Sequence, residues 1–142
     1  MIVVLDTNAL VQVFGARSPF AKLQQAILDG RVTPAISTPI LLEYEEVMTR
    51  YGGPERWPRV WRALEMTDQL HGNLRRIAPA FRWRLITADP DDDPFADCAI
   101  AAGAEWIITE DAHFNVLKVS GHRPQPISPA EFIARFLAED RA

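Results

Sequence analysis

Carboxylate side chains follow two apolar, strand-like runs of this chain. Residues 2–5 are all aliphatic and are followed by Asp6, and residues 106–109 are followed by Glu110 and Asp111. The carboxyl ends of parallel strands meet at one edge of a sheet, where α/β proteins bind ligands. Because neighbouring strands lie about 4.8 Å apart, Asp6 and Asp111 are expected to share one hard divalent cation. Glu110 is expected to point to the other side, toward solvent.

Asp6 also has a purely structural interpretation. In the run Asp6-Thr7-Asn8 its carboxylate is suited to capping a following helix. A charge at the end of a central strand is partly buried, however, and a partly buried carboxylate needs a partner. A functional role is therefore favoured, in which Thr7 and Asn8 orient Asp6 or hydrogen-bond to water at the ion.

A third acidic cluster lies at residues 89–97, just before the second strand-like run. Asp93 precedes Pro94, as the N-cap of a helix would, and Asp97 falls one turn later on the same helical face. Two like charges at this spacing are mildly destabilising, and a bound cation would remove that cost. The remaining acids, Asp89, Asp91 and Asp92, are interpreted as turn residues.

The second long helix carries three more candidates. Glu46 points nearly opposite its apolar face, whereas Glu43 and Glu45 flank that face, and spacing alone does not choose between these two. Three solvated glutamates remain the structural alternative. Cysteine and histidine show no metal-ligand spacing, and His113 is interpreted as a surface-loop residue. An all-oxygen site of this kind favours Mg²⁺ or Mn²⁺ over zinc.

The composition bounds the possible function. The 142 residues suit a single domain spanning 1–142, and Cys98 is the only cysteine, expected to be buried and inert. No apolar run approaches the roughly 20 residues that span a bilayer, so a cytoplasmic protein is predicted. The net charge is −4, yet residues 50–84 contain eight arginines and three acids, while 89–111 contain eight acids and no base. A basic flank beside an acidic pocket suits an enzyme that holds a polyanion, although scattered arginines on a solvated helix are the alternative.

Hydrophobic periodicity predicts an α/β/α sandwich with a central parallel sheet of about four or five strands. Strands are predicted at residues 2–5, 34–37, 105–109 and 125–127. Helices are predicted to begin near residues 19, 38, 55, 93 and 129. The segment 75–87 is ambiguous, since residues 77–78 and 85–86 are both strand candidates and Pro79 interrupts them.

Four motifs in order resemble the PIN domain family, and within it the VapC-like toxins of bacterial toxin–antitoxin pairs. The motifs are residues 3–8, 37–47, 89–99 and 101–111, and the resemblance extends over nearly the whole chain. The resemblance implies a Mg²⁺- or Mn²⁺-dependent ribonuclease with an RNA substrate, a small antitoxin partner and a homodimeric state. It implies that the catalytic, metal-binding acids are Asp6, Glu43, Asp93 and Asp111.

The resemblance also assigns supporting residues. It makes Asp97 an accessory metal carboxylate, and Asn8 or Thr109 polar support beside Thr7. Arginines of the middle segment, of which Arg50, Arg75 and Arg76 are candidates, would grip flanking phosphates.

Two other classes of function fit the sequence less well. A non-catalytic RNA- or protein-binding PIN-like module would not need to retain all four acids. A phosphatase using Asp6 as nucleophile usually needs a second aspartate two residues later, where this chain has Asn8.

Overall fold

In a computed structural model that describes residues 1–138, a five-stranded parallel sheet is flanked by helices. The strands are β1 (Ile2–Leu5), β2 (Thr33–Ile36), β3 (Arg75–Arg76), β4 (Trp106–Ile108) and β5 (Gln125–Ile127). Their order across the sheet is β3-β2-β1-β4-β5. The predicted α/β class and parallel sheet are confirmed. The predicted single domain also includes residues 139–142, which lie outside the described residues.

The helices are α1 (Thr7–Val13), α2 (Ala21–Leu28), α3 (Thr38–Gly52), α4 (Arg56–His71), α5 (Asp93–Ala102) and α6 (Pro129–Phe136). Two 3₁₀ helices span Pro90–Asp92 and Ala112–Ser120. Helix α5 packs across β1, β2 and β4, and α3 packs against both α4 and α5. No helix within residues 1–138 is long and apolar enough to cross a membrane.

The central strand β1 is the reference point of the sheet. Val3, Val4 and Leu5 are buried on consecutive positions, as expected for a strand covered on both faces. Helix α3 is fixed to its end, because the Tyr44 hydroxyl donates a hydrogen bond to the Leu5 carbonyl oxygen. Ile40, Tyr44 and Met48 form the buried stripe of that helix at four-residue spacing. This contact sets the distance of α3 from the carboxyl edge of the sheet.

Two predictions about local structure need correction. Helix α1 is not among the predicted elements, but the capping role considered for Asp6 is confirmed: its carboxylate accepts a hydrogen bond from the Ala9 backbone N–H at 2.8 Å. The third strand lies at neither predicted position. It comprises only Arg75–Arg76, which pair with the end of β2, and the Ile77 N–H adds one bond to the Ile36 carbonyl at 2.8 Å. Pro79 lacks the N–H that would continue such a ladder.

Candidate metal centre

The carboxyl edge of the sheet carries a small polar cavity of about 210 Å³. Its acidic lining residues come from the end of β1, from α3, from the turn before α5 and from the segment after β4. They are Asp6, Glu43, Asp89, Asp91, Asp92 and Asp111. We call this cavity the acidic pocket. Thr7 and Asn8 also line it.

The pairing of β1 with β4 explains why Asp6 lies beside Thr109. Leu5 is in register with Ile108, so the next residues of the two strands face each other. The Asp6 N–H donates to the Ile108 carbonyl at 3.1 Å, and the Thr109 hydroxyl donates to the second carboxylate oxygen of Asp6. Asp6 is only 6% exposed. Both of its oxygens are thus hydrogen-bonded, which fixes the direction in which the charge points.

Asp111 is positioned by the same threonine. The backbone N–H of Asp111 donates to the Thr109 hydroxyl oxygen at 2.9 Å. The Asp111 carboxylate accepts from the backbone N–H of His113 at 2.9 Å. The His113 Nδ1 lies 3.4 Å from an oxygen of Asp111 and 3.4 Å from an oxygen of Asp92. One oxygen of Asp89, one of Asp92 and a ring nitrogen of His113 lie within 4.8 Å of one another, close enough to hold one cation.

Glu43 is the glutamate of α3 that reaches the acidic pocket. Its carboxylate accepts a hydrogen bond from the Thr7 hydroxyl at 2.8 Å and is partly buried, whereas Glu45 and Glu46 are exposed. Since Thr7 follows Asp6, this bond ties the helix-borne acid to the strand-borne one.

Burial perturbs the titration of these acids. The pKa of Asp6 is raised to about 6, chiefly by burial and further by the charges of Asp111 and Glu43. The pKa of Asp92 is also raised to about 6 by burial and by Asp111, and that of Glu43 is raised by burial. Within residues 1–138 no arginine or lysine forms an ion pair with them. Uncompensated carboxylates of this kind fit a hard divalent cation.

The family model described as "PIN domain" matches residues 2–113. The chain belongs to the PIN domain family. The match includes the end of β1, helix α3, the turn before α5 and the end of β4, which are the elements that form the acidic pocket. A search of curated protein sequences gave no significant match.

Two solved structures have a similar fold. One is VapBC2 from Rickettsia felis, determined bound to a DNA fragment from its promoter, with a TM-score of 0.56 and 19% identity. The other is FitAcB from Neisseria gonorrhoeae, with a TM-score of 0.57 and 18% identity. Each comparison covers 90% of this chain and 98% of the other chain. At this identity the likeness shows a shared fold.

Not every acid that the sequence singled out lies in the acidic pocket of this PIN domain. Asp93 and Asp97 line a neighbouring cavity instead. The Asp93 carboxylate accepts from the Ile86 N–H at 2.9 Å, and that of Asp97 accepts from the Trp83 N–H at 3.0 Å. In the pocket the third acidic position is occupied by Asp92, which directly precedes α5. The structure therefore does not bring Asp93 and Asp97 together with the acids of the acidic pocket.

The arginines proposed for phosphate binding do not line the acidic pocket either. Arg50 pairs with Glu46 at 2.8 Å, Arg75 donates to the Gly72 carbonyl at 3.0 Å, and Arg76 lies 5.3 Å from the centre of the Trp61 ring. All three side chains are on the surface. Sequence reasoning did not select Asp92, Asp89 and His113. The density of acids around Pro90 was the one signal that pointed to the two aspartates.

We expect the metal-free PIN domain to lose stability as the pH rises from 4 to 7. The pKa of Asp6 is about 6 in the folded protein against an ordinary value of 3.8, so the folded state binds the proton more tightly than the unfolded state. The stabilisation that protonation gives is present at low pH and is lost as the pH passes 6, by about 2 kcal/mol in total.

Thermal unfolding in EDTA between pH 4.5 and 7.5 measures this effect. Saturating Mn²⁺ should raise the melting temperature at pH 7.5 much more than at pH 4.5. A metal-free protein that became more stable across this range would contradict the electrostatic description of the pocket.

Proposed function

We propose that this PIN domain is a Mg²⁺- or Mn²⁺-dependent ribonuclease that hydrolyses phosphodiester bonds. The observation that carries the proposal is the convergence of Asp6, Glu43, Asp92 and Asp111 on one cavity, where no arginine or lysine of residues 1–138 pairs with them. When bound, a divalent ion supplies an activated water and neutralises charge on the phosphate. Without a bound cation the carboxylates of the pocket would repel the phosphates of RNA, so the ion is also needed for RNA binding.

The residues of the chain have separate tasks in this proposal. Asp6 and Asp111 hold the ion from adjacent strands, and Glu43 and Asp92 complete the oxygen ligands from the helical side. Thr109 orients Asp6 and the backbone of Asp111, while Thr7 orients Glu43. Because hydrogen bonds fix these carboxylates before the ion arrives, little ordering is needed on binding. His113, between Asp92 and Asp111, is positioned to contact a phosphate oxygen.

We further propose that the enzyme is the cytoplasmic toxin of a toxin–antitoxin pair and forms a homodimer. The support is the likeness of its motifs to VapC-like toxins, together with a fold shared with chains of VapBC2 and FitAcB. Sedimentation at micromolar concentration tests the homodimer, and a monomer would remove that part. Restored growth when a neighbouring small reading frame is expressed with the enzyme tests the antitoxin.

Metal dependence is tested with Glu43→Gln and a matched control on the same helix. We expect EDTA to abolish cleavage of a labelled single-stranded RNA, and Mg²⁺ or Mn²⁺ to restore it. Glu43→Gln should lower the rate by roughly 100-fold, because it removes one charge at the ion. Glu45→Gln changes an exposed glutamate two residues away and should leave the rate within about twofold.

The two variants also control for contamination. Cleavage that survives EDTA and is equal in both preparations would come from another nuclease. In that case the proposed activity would be rejected, and a non-catalytic binding module would be the better description.

A further inference from the structure

A second cavity, of about 560 Å³, borders the same 3₁₀ turn as the acidic pocket. Pro90 of this turn lines the second cavity, whereas Asp91 and Asp92 line the acidic pocket. The first residues of α3 and α5 form one part of its wall, and residues 77–79, Phe81, Arg82 and Arg84 form the other, with Trp83 next to them in the chain. Its volume is within the range of small-molecule binding sites. We call residues 77–86 the aromatic segment.

The aromatic segment exposes two large rings. Phe81 is 70% exposed and Trp83 is 51% exposed, and their ring centres lie 6.0 Å apart with a tilt of 53°. Aromatic side chains normally contribute a large buried area, so two neighbouring rings left in solvent indicate a binding surface. At least half of the surface of each ring is therefore accessible to a ligand.

Arginines alternate with these rings along the chain. Arg82 and Arg84 line the second cavity, and neither forms an ion pair within the described part of the chain. Aromatic rings for stacking, combined with cationic side chains that follow a backbone, are the usual components of a single-stranded nucleic acid site. A duplex stacks its bases on one another, so their faces are not available to Phe81 and Trp83.

Asp93 and Asp97 hold the aromatic segment in place. Their carboxylates accept the backbone N–H groups of Ile86 and Trp83, and both acids belong to α5, which begins directly after the acidic-pocket residue Asp92. The same helix therefore positions the acidic pocket at its start and the aromatic segment beside it. The fixed spacing suits a ligand that extends from one cavity to the other.

We propose that the aromatic segment and the second cavity bind an unpaired nucleotide of single-stranded RNA, next to the phosphodiester that lies in the acidic pocket. This inference rests on the proposed ribonuclease function and adds the surface that holds the neighbouring nucleotide. A protein partner is less favoured, because the alternation of unpaired arginines and exposed rings suits phosphates and bases in turn. Phe81 and Trp83 stack on the base, and Arg82 and Arg84 contact the flanking phosphates.

The test measures binding of a labelled RNA 12-mer, single-stranded or annealed to its complement, in an Asp6→Asn background with Mg²⁺. The double substitution Phe81→Ala and Trp83→Ala should weaken the single-strand Kd by roughly tenfold or more. It should change the duplex Kd by less than about twofold, since a duplex offers no free base face. Tyr51→Ala is the matched control, because Tyr51 is 74% exposed on α3 and lines neither cavity, and it should change neither Kd.

Two further measurements separate stacking from a general loss of structure. Trp83→Phe keeps an aromatic face and should retain the Kd of the background within about threefold, while removing the quenching of tryptophan fluorescence that RNA causes. Arg82→Gln should lower the slope of log Kd against log salt by roughly 0.7, as expected when one single-strand phosphate contact is lost. The circular dichroism spectrum and melting temperature of every variant should stay at those of the Asp6→Asn background.

The outcomes distinguish this inference from the proposed activity. If the parent cleaves RNA but the double variant binds single strands as tightly as its background, the inference is overturned and the ribonuclease proposal stands. If the parent cleaves no RNA while the double variant loses single-strand binding, the activity is rejected and the RNA-binding surface stands. Loss of single-strand and duplex binding to the same extent also overturns the inference.

Discussion

Asp6→Asn should abolish RNA cleavage, with a rate at least about 1,000-fold below that of the parent. Asp6 is the most buried of the acids in the pocket and lies at the end of the central strand, so its charge is the one that solvent cannot replace. Initial rates with saturating Mn²⁺ measure the effect. A variant that cleaved at the parent rate would show that the acidic pocket is not the active site.

The same substitution should stabilise the metal-free protein at pH 7.5. Asparagine keeps an oxygen that can accept the Ala9 N–H, loses the one that accepts from the Thr109 hydroxyl, and removes a buried charge whose pKa is raised to about 6 in the folded state. The expected gain in free energy of unfolding is about 1–2 kcal/mol, or roughly 5 °C in melting temperature. Calorimetry in EDTA checks it. A lower melting temperature would mean that the hydrogen bonds of the Asp6 carboxylate stabilise the metal-free fold more than its buried charge destabilises it.

Asp92→Asn and Asp93→Asn should have very different effects although the residues are neighbours. Asp92 lines the acidic pocket and makes no capping hydrogen bond to α5, so its loss should lower cleavage by roughly 100-fold without unfolding the helix. Asp93 faces the second cavity, and an asparagine oxygen can still accept the Ile86 N–H. Asp93→Asn should therefore keep the rate within about threefold.

Isothermal titration calorimetry with Mn²⁺ measures the metal affinity of the same two variants. Asp92→Asn should weaken the affinity for the ion, whereas Asp93→Asn should leave it close to that of the parent. The reverse order of effects in rate and in metal affinity would restore Asp93 to the metal site that the sequence motif assigned to it.

The convergence of Asp6 and Asp111 could be predicted because it follows from topology. Both residues come after apolar strands, and parallel neighbours place such residues at one edge whatever the details of the loops. The choice of Glu43 over Glu45 was different, since the resemblance supplied it and the helical spacing did not. The bond from Thr7, which distinguishes the two glutamates in the structure, joins residues 36 positions apart.

The N-cap pattern in the sequence does not predict that Asp92, rather than Asp93, lines the acidic pocket. Asp93-Pro94 has the pattern of an N-cap, yet the 3₁₀ turn at Pro90–Asp92 leads directly into α5, so the helix begins with Asp93 itself. Each residue rotates by about 100° around the helix axis, and a one-residue shift therefore sends a side chain to a different cavity.

The conformation of the aromatic segment could not be predicted for a different reason. Its alternation of large and charged residues suits a half-buried strand, but the rings of Phe81 and Trp83 remain in solvent. The conformation is set instead by carboxylates 7 and 14 positions away in the sequence, through the Ile86 and Trp83 N–H groups. Hydrophobic periodicity carries no information on such bonds.

The dual bonding of Asp6 has an evolutionary consequence. One oxygen starts helix α1 through the Ala9 N–H, and asparagine serves a helix start equally well. A single nucleotide change converts an aspartate codon to an asparagine codon, so one mutation can remove the buried charge and keep the helix start. The charge of the acidic pocket and the start of helix α1 can therefore change independently at this position.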